Sequence, residues 1–341
     1  MSRVWVTGLG AVSPAGWGME ALRVAVDEAR ELGVKELARP GWSRPLLVRH
    51  VPPWGSRPAF LGHPRLRRSS PISQYAVAAA LEALGSDVSK VSAGTIRLGI
   101  VLCVMSGCVN YSRRFYDEVL RDPAMASPLL FPETVFNASS SHLAALLGTQ
   151  AINYTLVGDP GTFLQGLALA AQWLSVGLVE GCLVVGSEEL DWLTADAFRL
   201  FTRRIVVSEG SGALYLRAAP GDGRGVELTG VTDAHPFTDR ASRARAARRA
   251  ALQLGFGDPG EVLCDGYQGV PLLDQAEAQA WNKWEGTRVS PKRILGEGLM
   301  AAAAWQCVVA ADALGQGKFE RALVSVVGCN QQAIGARFQL G

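Results

Sequence analysis

The sequence carries almost no excess charge of either sign. Its 33 lysines and arginines stand against 31 acidic residues, which gives a formal net charge of +2. A strongly basic chain would attract nucleic acid or an anionic membrane surface, and that overall field is missing here. We therefore expect no nucleic-acid partner. Any partner must be recognised by a local surface.

Metal-binding and disulfide patterns are missing as well. The six cysteines contain no CxxC pair, and none of the four histidines stands at the spacing of a zinc ligand. We expect no metal, no cofactor and no disulfide framework. Reduced thiols fit a cytoplasmic protein best.

The sequence also lacks a long hydrophobic run that would predict a membrane span. Its first residues lack the basic-then-apolar pattern of a signal peptide. The most apolar later stretch, Gly298–Leu314, is rich in alanine and contains Gln306 and Asp312. This composition favours a buried helix of a soluble protein.

What is present is the composition of a folded α/β protein. The 341 residues are 48% hydrophobic and 19% charged, which suits one large domain or two fused halves. Short β-branched runs alternate with helical stretches rich in small residues. Strands are predicted at Val4–Thr7, Leu98–Val104, Cys182–Val185, Ala213–Leu216, Val226–Leu228 and Ala322–Val327. Helices are predicted at Met19–Leu32, Ser106–Leu120, Ser139–Leu147, Gly161–Val176, Ser242–Leu254 and Glu297–Leu314.

Two of these predicted helices, around Ala168 and Ala302, are apolar nearly all round and rich in alanine. Such helices are typical of a layer between two sheets. The stretch Val34–Ser73 is rich in proline and arginine, and we interpret it as a long surface excursion or a partner-binding segment.

Three segments, in order along the chain, resemble those of the β-ketoacyl synthases. They are MSRVWVTGLGAVSPAG at the beginning, SPLLFPETVFNASSSHLAALLG, and LSVGLVEGCLVVGSEEL. The resemblance implies an α/β, thiolase-like fold with five layers in the order α/β/α/β/α, built from two related halves. We assign the halves to residues 1–195 and 196–341. It also implies a dimer with the active site buried between the halves.

The position that matches the family's cysteine nucleophile is Pro160. It lies seventeen residues before Gly177, which is the family's spacing between the cysteine and the glycine that ends its helix. The surrounding VGDPGTFLQGL is similar to the VGEQAGGLDAL-like string of chain-length factors, in which glutamine replaces the cysteine. Proline has neither a nucleophile nor a backbone N–H to donate to an oxyanion. Helix initiation alone would explain the residue, with Asp159 as N-cap and Pro160 first in the helix.

The two histidines that the family uses are also replaced. GYQGVPLLD resembles the HGTGTP-like motif and places Gly266 at the first histidine. KRILGEGLMAA resembles the second motif; it keeps Lys292 but has Glu297 at the histidine position. A carboxylate there would oppose a developing negative charge. The resemblance therefore implies a member without catalytic residues.

Other chemistry-bearing residues have simpler interpretations. His142, in SSSHLAALLG, is the best candidate for a relocated triad, but a lone histidine at a helix start is more often structural. Arg243, Arg245, Arg248 and Arg249 offer a basic run for an acidic carrier protein, although such a run is usually a solvated face.

A tunnel gate is predicted at Cys108, Tyr111 and Phe115. The helix SGCVNYSRRFYDEVL resembles the chain-length-factor helix whose bulky residues close the tunnel at the dimer interface. Spacings of three and four residues place the three side chains on one stripe. The alternative is that Tyr111 and Phe115 are ordinary interface core.

Three functions remain open. The first is a non-condensing partner of the chain-length-factor type, which forms a heterodimer with an active ketosynthase, works with an acyl carrier protein and shapes the acyl tunnel in polyketide or fatty-acid-type assembly. The second is an enzyme of the same fold that acts on thioesters through Glu297 with Lys292 beside it. The third is a homodimeric acyl-binding scaffold.

Overall fold

The computed structural model describes residues 3–150, 152–221, 225–255, 257 and 260–341. Its strands are β1 Trp5–Ser13, β2 Gly16–Trp17, β3 Lys35–Leu37, β4 Leu46–Arg49, β5 Leu98–Val104, β6 Asn153–Val157, β7 Gly181–Glu188, β8 Val207–Ser208, β9 Gly210–Arg217, β10 Val226–Val231, β11 His235–Pro236, β12 Glu261–Cys264, β13 Thr287–Val289, β14 Arg321–Val327 and β15 Gln332–Leu340.

The helices connect these strands. They are α1 Met19–Glu28, α2 Pro71–Leu84, α3 Asp87–Ser92, α4 Val109–Arg121, α5 Ala138–Leu147, α6 Thr162–Ser175, α7 Trp192–Phe198, α8 Arg240–Leu254, α9 Pro271–Ala280, α10 Pro291–Leu295 and α11 Met300–Gly315. Short 3-10 helices lie at Ala59–Gly62, Pro64–Leu66, Pro123–Met125 and Phe131–Glu133.

The same strand order occurs twice. The first set runs β6-β5-β7-β9-β1 and the second runs β13-β12-β14-β15-β10. In both sets, taken in chain order, the third strand is outermost, followed by the second, fourth, fifth and first. The sets join where β1 pairs antiparallel with β10, with Trp5 opposite Glu227. This repeat confirms two related halves.

Five layers follow from the helix contacts. Helix α11 packs on β7 and β9 of the first set and on β12 and β14 of the second, and α6 lies beside it. Helices α2 and α5 cover the outer face of the first set, while α8 and α9 cover that of the second. The predicted α/β/α/β/α thiolase-like architecture is therefore confirmed.

The central layer explains the alanine-rich sequence. Every residue from Met300 to Ala311 is buried, and small side chains let the two sheets approach the helix. Gly212 of β9 shows how tight this packing is, because a Cβ there would lie 2.7 Å from the Cβ of Ala304. An alanine-rich helix in the middle was the correct prediction.

The division predicted at 195/196 stays a prediction. The strand order places β9, which follows residue 195, between β7 and β1 of the first set. The change from one set to the other falls between Arg217 and Val226. A division based on the strand order would fall after β9, whereas the predicted boundary falls within α7.

Candidate functional site

The substituted positions lie at the carboxyl ends of strands and on the segments that follow. Pro160 follows β6, Gly266 follows β12, and Lys292 and Glu297 flank the end of α10. The carboxylate of Asp159, next to Pro160, accepts hydrogen bonds from the backbone of Gln331 and Gln332, at 3.1 and 3.2 Å. The structure thus brings the β6 end, in the first half, against the β14–β15 loop of the second.

The turn at Pro160 is fixed by Asp159. Pro160 is buried. The helix begins at Thr162, one residue after the predicted Gly161 and two after Pro160, with Gly161 as N-cap. Asp159 accepts from the N–H of Gly161 at 3.1 Å, but its second oxygen is held by the β14–β15 loop, so it does not cap the helix as predicted. Burial raises the pKa of this carboxyl. Nothing at Pro160 offers a nucleophile.

At Gly266 the space for a larger side chain is occupied. Glu277 of α9 turns inward and accepts from the N–H of Gly266 at 3.0 Å and from the hydroxyl of Ser325 at 2.5 Å. A Cβ on Gly266 would lie 2.9 Å from a Glu277 oxygen. Burial, followed by the nearby Asp265, raises the pKa of Glu277 to about 8. Sequence reasoning missed Glu277 because it lies on the next helix.

Lys292 and Glu297 form a closed, buried ion pair. Their charged atoms are 2.8 Å apart, and the side chains are only 4% and 2% exposed. The other Glu297 oxygen accepts from the N–H of Leu299 at 3.0 Å. Burial works against the charge on Lys292, but the attraction of Glu297 together with that of other nearby groups outweighs burial, and the pKa of Lys292 is raised. Both partners are therefore held in place rather than free to move a proton.

The backbone around this ion pair is also constrained. Leu299 has a φ of 53°, in the left-handed region that costs a leucine energy. The N–H of Glu297 donates to Val206 at 2.8 Å, and its carbonyl accepts from Ser208 at 2.9 Å. These bonds tie the segment before α11 to β8.

An apolar cluster lies over this pair. It joins Leu46, Val48, Leu190, Ala195, Phe198, Ile205, Val207 and Leu299, and Cys329 packs against it. The thiol of Cys329 lies close to the Lys292–Glu297 pair. The sequence alone did not indicate Cys329. Burial first, then the charge of Glu297, raises the pKa of this thiol, so it stays protonated and is a weak nucleophile.

Arg243, the first arginine of the basic run, is held by backbone carbonyls. It donates to the carbonyls of Leu273, at 3.0 Å, and Gly328, at 3.2 Å. Its guanidinium therefore links α8 to α9 and to the β14–β15 loop. The other three arginines of the run are exposed.

The three predicted gate residues have different environments. Cys108 is the residue before α4 and is 2% exposed. Tyr111 donates its hydroxyl hydrogen to the carbonyl of Arg68, and Phe115 packs against Phe131 with ring centroids 5.7 Å apart. Tyr111 lines a pocket of about 680 Å³. Whether the three share one tunnel stays a prediction.

The end of β7 anchors the gate helix. Glu188 accepts from the backbone of Met105 and Ser106, and Glu189 accepts from the N–H of Asn110 at 2.8 Å. Arg113 of α4 pairs with Asp191 at 2.8 Å. Burial raises the pKa of Glu188 to about 7. These buried carboxylates fix where α4 begins, which the sequence prediction placed three residues too early.

The pocket beside Tyr111 is basic at its mouth. Four of its lining residues are arginines, at 65, 67, 68 and 114, and Leu129 and Leu130 add apolar surface. His142 lies in its wall, 5% exposed, with Nε2 2.9 Å from both oxygens of Glu133. The predicted alternative catalytic histidine is thus paired with a carboxylate, and no nucleophile is bonded to it among the residues that the structure describes.

An exposed apolar surface surrounds this region. We define the partner surface as Tyr154 and Val157 on the outer strand β6, together with Leu129, Phe131, Val135 and Phe136, all of which are exposed. The two parts are joined by a cleft lined by Asn137 and by Asn153, Tyr154 and Thr155. The outer edge of β6 carries no further strand within the described sheet.

Within the described residues, no helix is long and apolar enough to cross a membrane. The same residues contain no group of three or more His, Cys, Asp or Glu side chains that could hold a metal ion.

Comparison with known proteins defines the fold as that of the ketosynthases. No family model and no curated protein matches the sequence. Solved structures do match. A β-ketoacyl synthase from Burkholderia phymatum STM815 aligns with a TM-score of 0.81 at 18% identity, covering 100% of both chains.

Two further structures come from assemblies. The ishigamide ketosynthase/chain length factor aligns with a TM-score of 0.78 at 21% identity over 99% of each chain. A chain from the complex of a type II polyketide-synthase acyl-carrier protein with its ketosynthase bound to the hexaketide aligns at 0.79 and 19% identity, covering 100% of this chain and 99% of the other. At such identities the likeness establishes the thiolase-like ketosynthase fold, and function has to be argued from the site.

Proposed function

We propose that this chain is a non-condensing partner of an active β-ketoacyl synthase, of the chain-length-factor type, in polyketide or fatty-acid-type chain assembly. The observation that carries the proposal is the Glu277 carboxylate, which occupies the space beside Gly266 where the resemblance requires a histidine. Pro160 and the closed Lys292–Glu297 pair support the same conclusion. We propose a cytoplasmic location, which the six free cysteines support.

The partner surface is where the active ketosynthase would bind. Exposed aromatic and aliphatic side chains beside an unpaired strand edge are unfavourable in water and favour a protein interface. One similar structure is described as a ketosynthase/chain length factor, and that description supports a heterodimer here. In the heterodimer, Tyr111 and Phe115 would border the tunnel and limit the product length.

The acyl carrier protein would approach the basic pocket beside Tyr111. Arg65, Arg67 and Arg68 are exposed, and none of them forms an ion pair with another described residue. They suit a partner with acidic side chains. The carrier complex among the similar structures supports the presence of such a partner.

The enzyme alternative is less well supported. A base must be free to take up a proton, but each Glu297 oxygen already accepts a hydrogen bond and Lys292 is held by it. A homodimeric scaffold would use the same partner surface, so only an experiment on assembly distinguishes it from the heterodimer.

The deciding experiment is coexpression with a ketosynthase encoded nearby, followed by size-exclusion chromatography and a condensation assay with malonyl and acyl carrier protein. We expect a heterodimer that elongates chains and an isolated subunit that does not. Val157→Arg on the partner surface should prevent assembly. Val24→Arg, at an exposed apolar position on α1 outside that surface, is the matched control and should leave assembly intact. A stable homodimer that ignores the ketosynthase would contradict the proposal, as would condensation by the isolated chain.

A further inference from the structure

Helix α8 presents a basic face to solvent. We define the basic face as Arg245, Arg248, Arg249 and Leu252, all of which are exposed. Spacings of three, four and seven residues place them on one stripe of the helix. The opposite side, with Ala246, Ala247, Ala250, Ala251 and Leu254, is buried against the second set of strands. The stripe is therefore an outward surface and not part of the core.

None of the three outward arginines of this stripe forms an ion pair with a described carboxylate. Helix α8 contains no acidic residue, and its three outward arginines make no ion pair or side-chain hydrogen bond with any residue that the structure describes. The neighbouring helix α9 offers no exposed carboxylate to these arginines, because its two acidic residues, Asp274 and Glu277, are buried. Like charges one turn apart repel each other. The charge of Asp239, at the N-cap of the helix, attracts Arg245, whereas Arg248 and Arg249 form no ion pair with a described residue.

The outer face of the neighbouring helix α9 is uncharged. The exposed positions of α9 carry Leu272, Gln275 and Gln279, and the stripe itself ends at Leu252, which is 56% exposed. A nucleic-acid backbone or an anionic membrane would favour continued positive charge beyond α8. A short line of arginines that ends in a leucine suits an amphipathic acidic helix better.

We propose that the basic face of α8 binds an acidic helical segment of a protein partner. Arg245 and Arg249 are one turn apart, about 6 Å along the axis, which is the spacing of carboxylates at i and i+4 on a facing helix. Guanidinium groups bind carboxylates through paired, charge-assisted hydrogen bonds. Leu252 would contact an apolar side chain of the same segment.

The basic face is separate from the surfaces of the proposed function. Helix α8 covers the second set of strands, whereas α5 and the pocket beside Tyr111 lie beyond the first set. The five layers therefore stand between the two regions. The inference does not depend on heterodimer formation, and an assembled complex would leave the basic face free.

The test measures binding of a fluorescent, alanine-based helical peptide with glutamates at every fourth position and one leucine, by anisotropy at low salt. The triple variant Arg245→Glu/Arg248→Glu/Arg249→Glu should weaken binding roughly tenfold or more. The matched control, Arg44→Glu/Arg203→Glu/Arg204→Glu, makes the same change of charge at exposed positions elsewhere and should bind like the wild type. Circular dichroism verifies that both variants are folded.

Each result decides the proposal. Selective loss in the α8 variant, with binding that weakens as salt is added, supports it. An equal loss of peptide binding in both triple variants would show that overall charge causes the binding, and would overturn the proposal. The proposal also fails if the wild type ignores the peptide, or if duplex DNA or phosphatidylserine vesicles compete for the basic face more strongly than unlabelled peptide.

Discussion

The site around Pro160 and the region around helix α4 differ in whether their side chains find partners within the chain. At Glu277 and Glu297 each carboxylate oxygen has a donor inside the chain. Around α4, apolar side chains such as Leu129 are left in water, and Leu129 is 70% exposed. We call the first region the completed region, because its buried carboxylates find their donors within the chain. The second region leaves apolar side chains exposed, and we propose that a partner covers them. Under this proposal the function of the chain lies at its surface rather than in its interior.

The largest expected loss of stability comes from removing one partner of the Lys292–Glu297 ion pair in the completed region. Lys292→Met leaves Glu297 buried without a counter-charge and should lower the free energy of unfolding by about 3 to 5 kcal/mol. Chemical denaturation measures the loss. The double variant Lys292→Met/Glu297→Leu should recover most of it, because both charges are gone. A double variant as unstable as the single one would show that the pair is not the source.

The pH dependence of stability should report Glu277. Its ordinary pKa is 4.5 and burial raises it to about 8, so the folded state keeps a proton that the unfolded state releases. The stability that this proton contributes is fully present below the unfolded pKa and is lost as the pH rises through about 8, at most about 1.4 kcal/mol per pH unit. Glu277→Gln should flatten the profile between those two values, measured by denaturation across that range. Glu285→Gln, on the surface, is the control and should leave the slope alone; an unchanged slope in Glu277→Gln would rule out this group as its cause.

Placing the family's cysteine and histidines at the substituted positions tests whether the completed region can still support catalysis. Gly266→His places a ring against Glu277 and should cost about 1 to 3 kcal/mol through overpacking. We expect the purified variants Pro160→Cys and Pro160→Cys/Gly266→His/Glu297→His not to condense malonyl and acyl units, as judged by mass spectrometry of carrier-bound products. Gly266→Ala is the smaller control. Extended products from any of them would show that the completed region can still be converted to catalysis.

The smallest effect on stability is expected at the gate. Tyr111→Phe removes the hydrogen bond to the carbonyl of Arg68. It should lower the free energy of unfolding by no more than about 0.5 to 1.5 kcal/mol, because the side chain is only partly buried. Tyr111→Ala in the reconstituted pair should instead shift products to longer chains, as measured by chromatography. Tyr116→Ala, on the exposed side of α4, serves as the matched control. An intact complex with an unchanged product distribution would mean that Tyr111 does not measure the chain.

Periodic, strongly apolar elements were predictable from the sequence. Strand β5 was predicted with the bounds it has, and the central helices α6 and α11 were found from their alanine content. Helix α2 was missed although it is largely buried, because its proline start lies in the segment Val34–Ser73, which was interpreted as a surface excursion or a partner-binding segment. In a helix, proline at the first position is favourable.

The missed strands and site residues depend on tertiary contacts. Strands β6 and β12 are short, and β15 begins with glutamine and contains Gly335 and Arg337, so neither composition nor alternation predicts them. Glu277 and Cys329 acquire their roles from neighbours that are distant in the sequence. A carboxylate flanked by Ala276, Ala280 and Trp281 was the available signal that Glu277 turns inward.

The repeated strand order has a consequence for how the chain is held together. The sheets meet through the short pairing of β1 with β10, but the central layer takes α6 from the first set and α11 from the second, and each helix contacts the other. Two polypeptides, one ending after β9 and one beginning before β10, would each expose half of that layer. They would therefore reassemble by fragment complementation, with burial of the alanine-rich interface replacing the missing peptide bond.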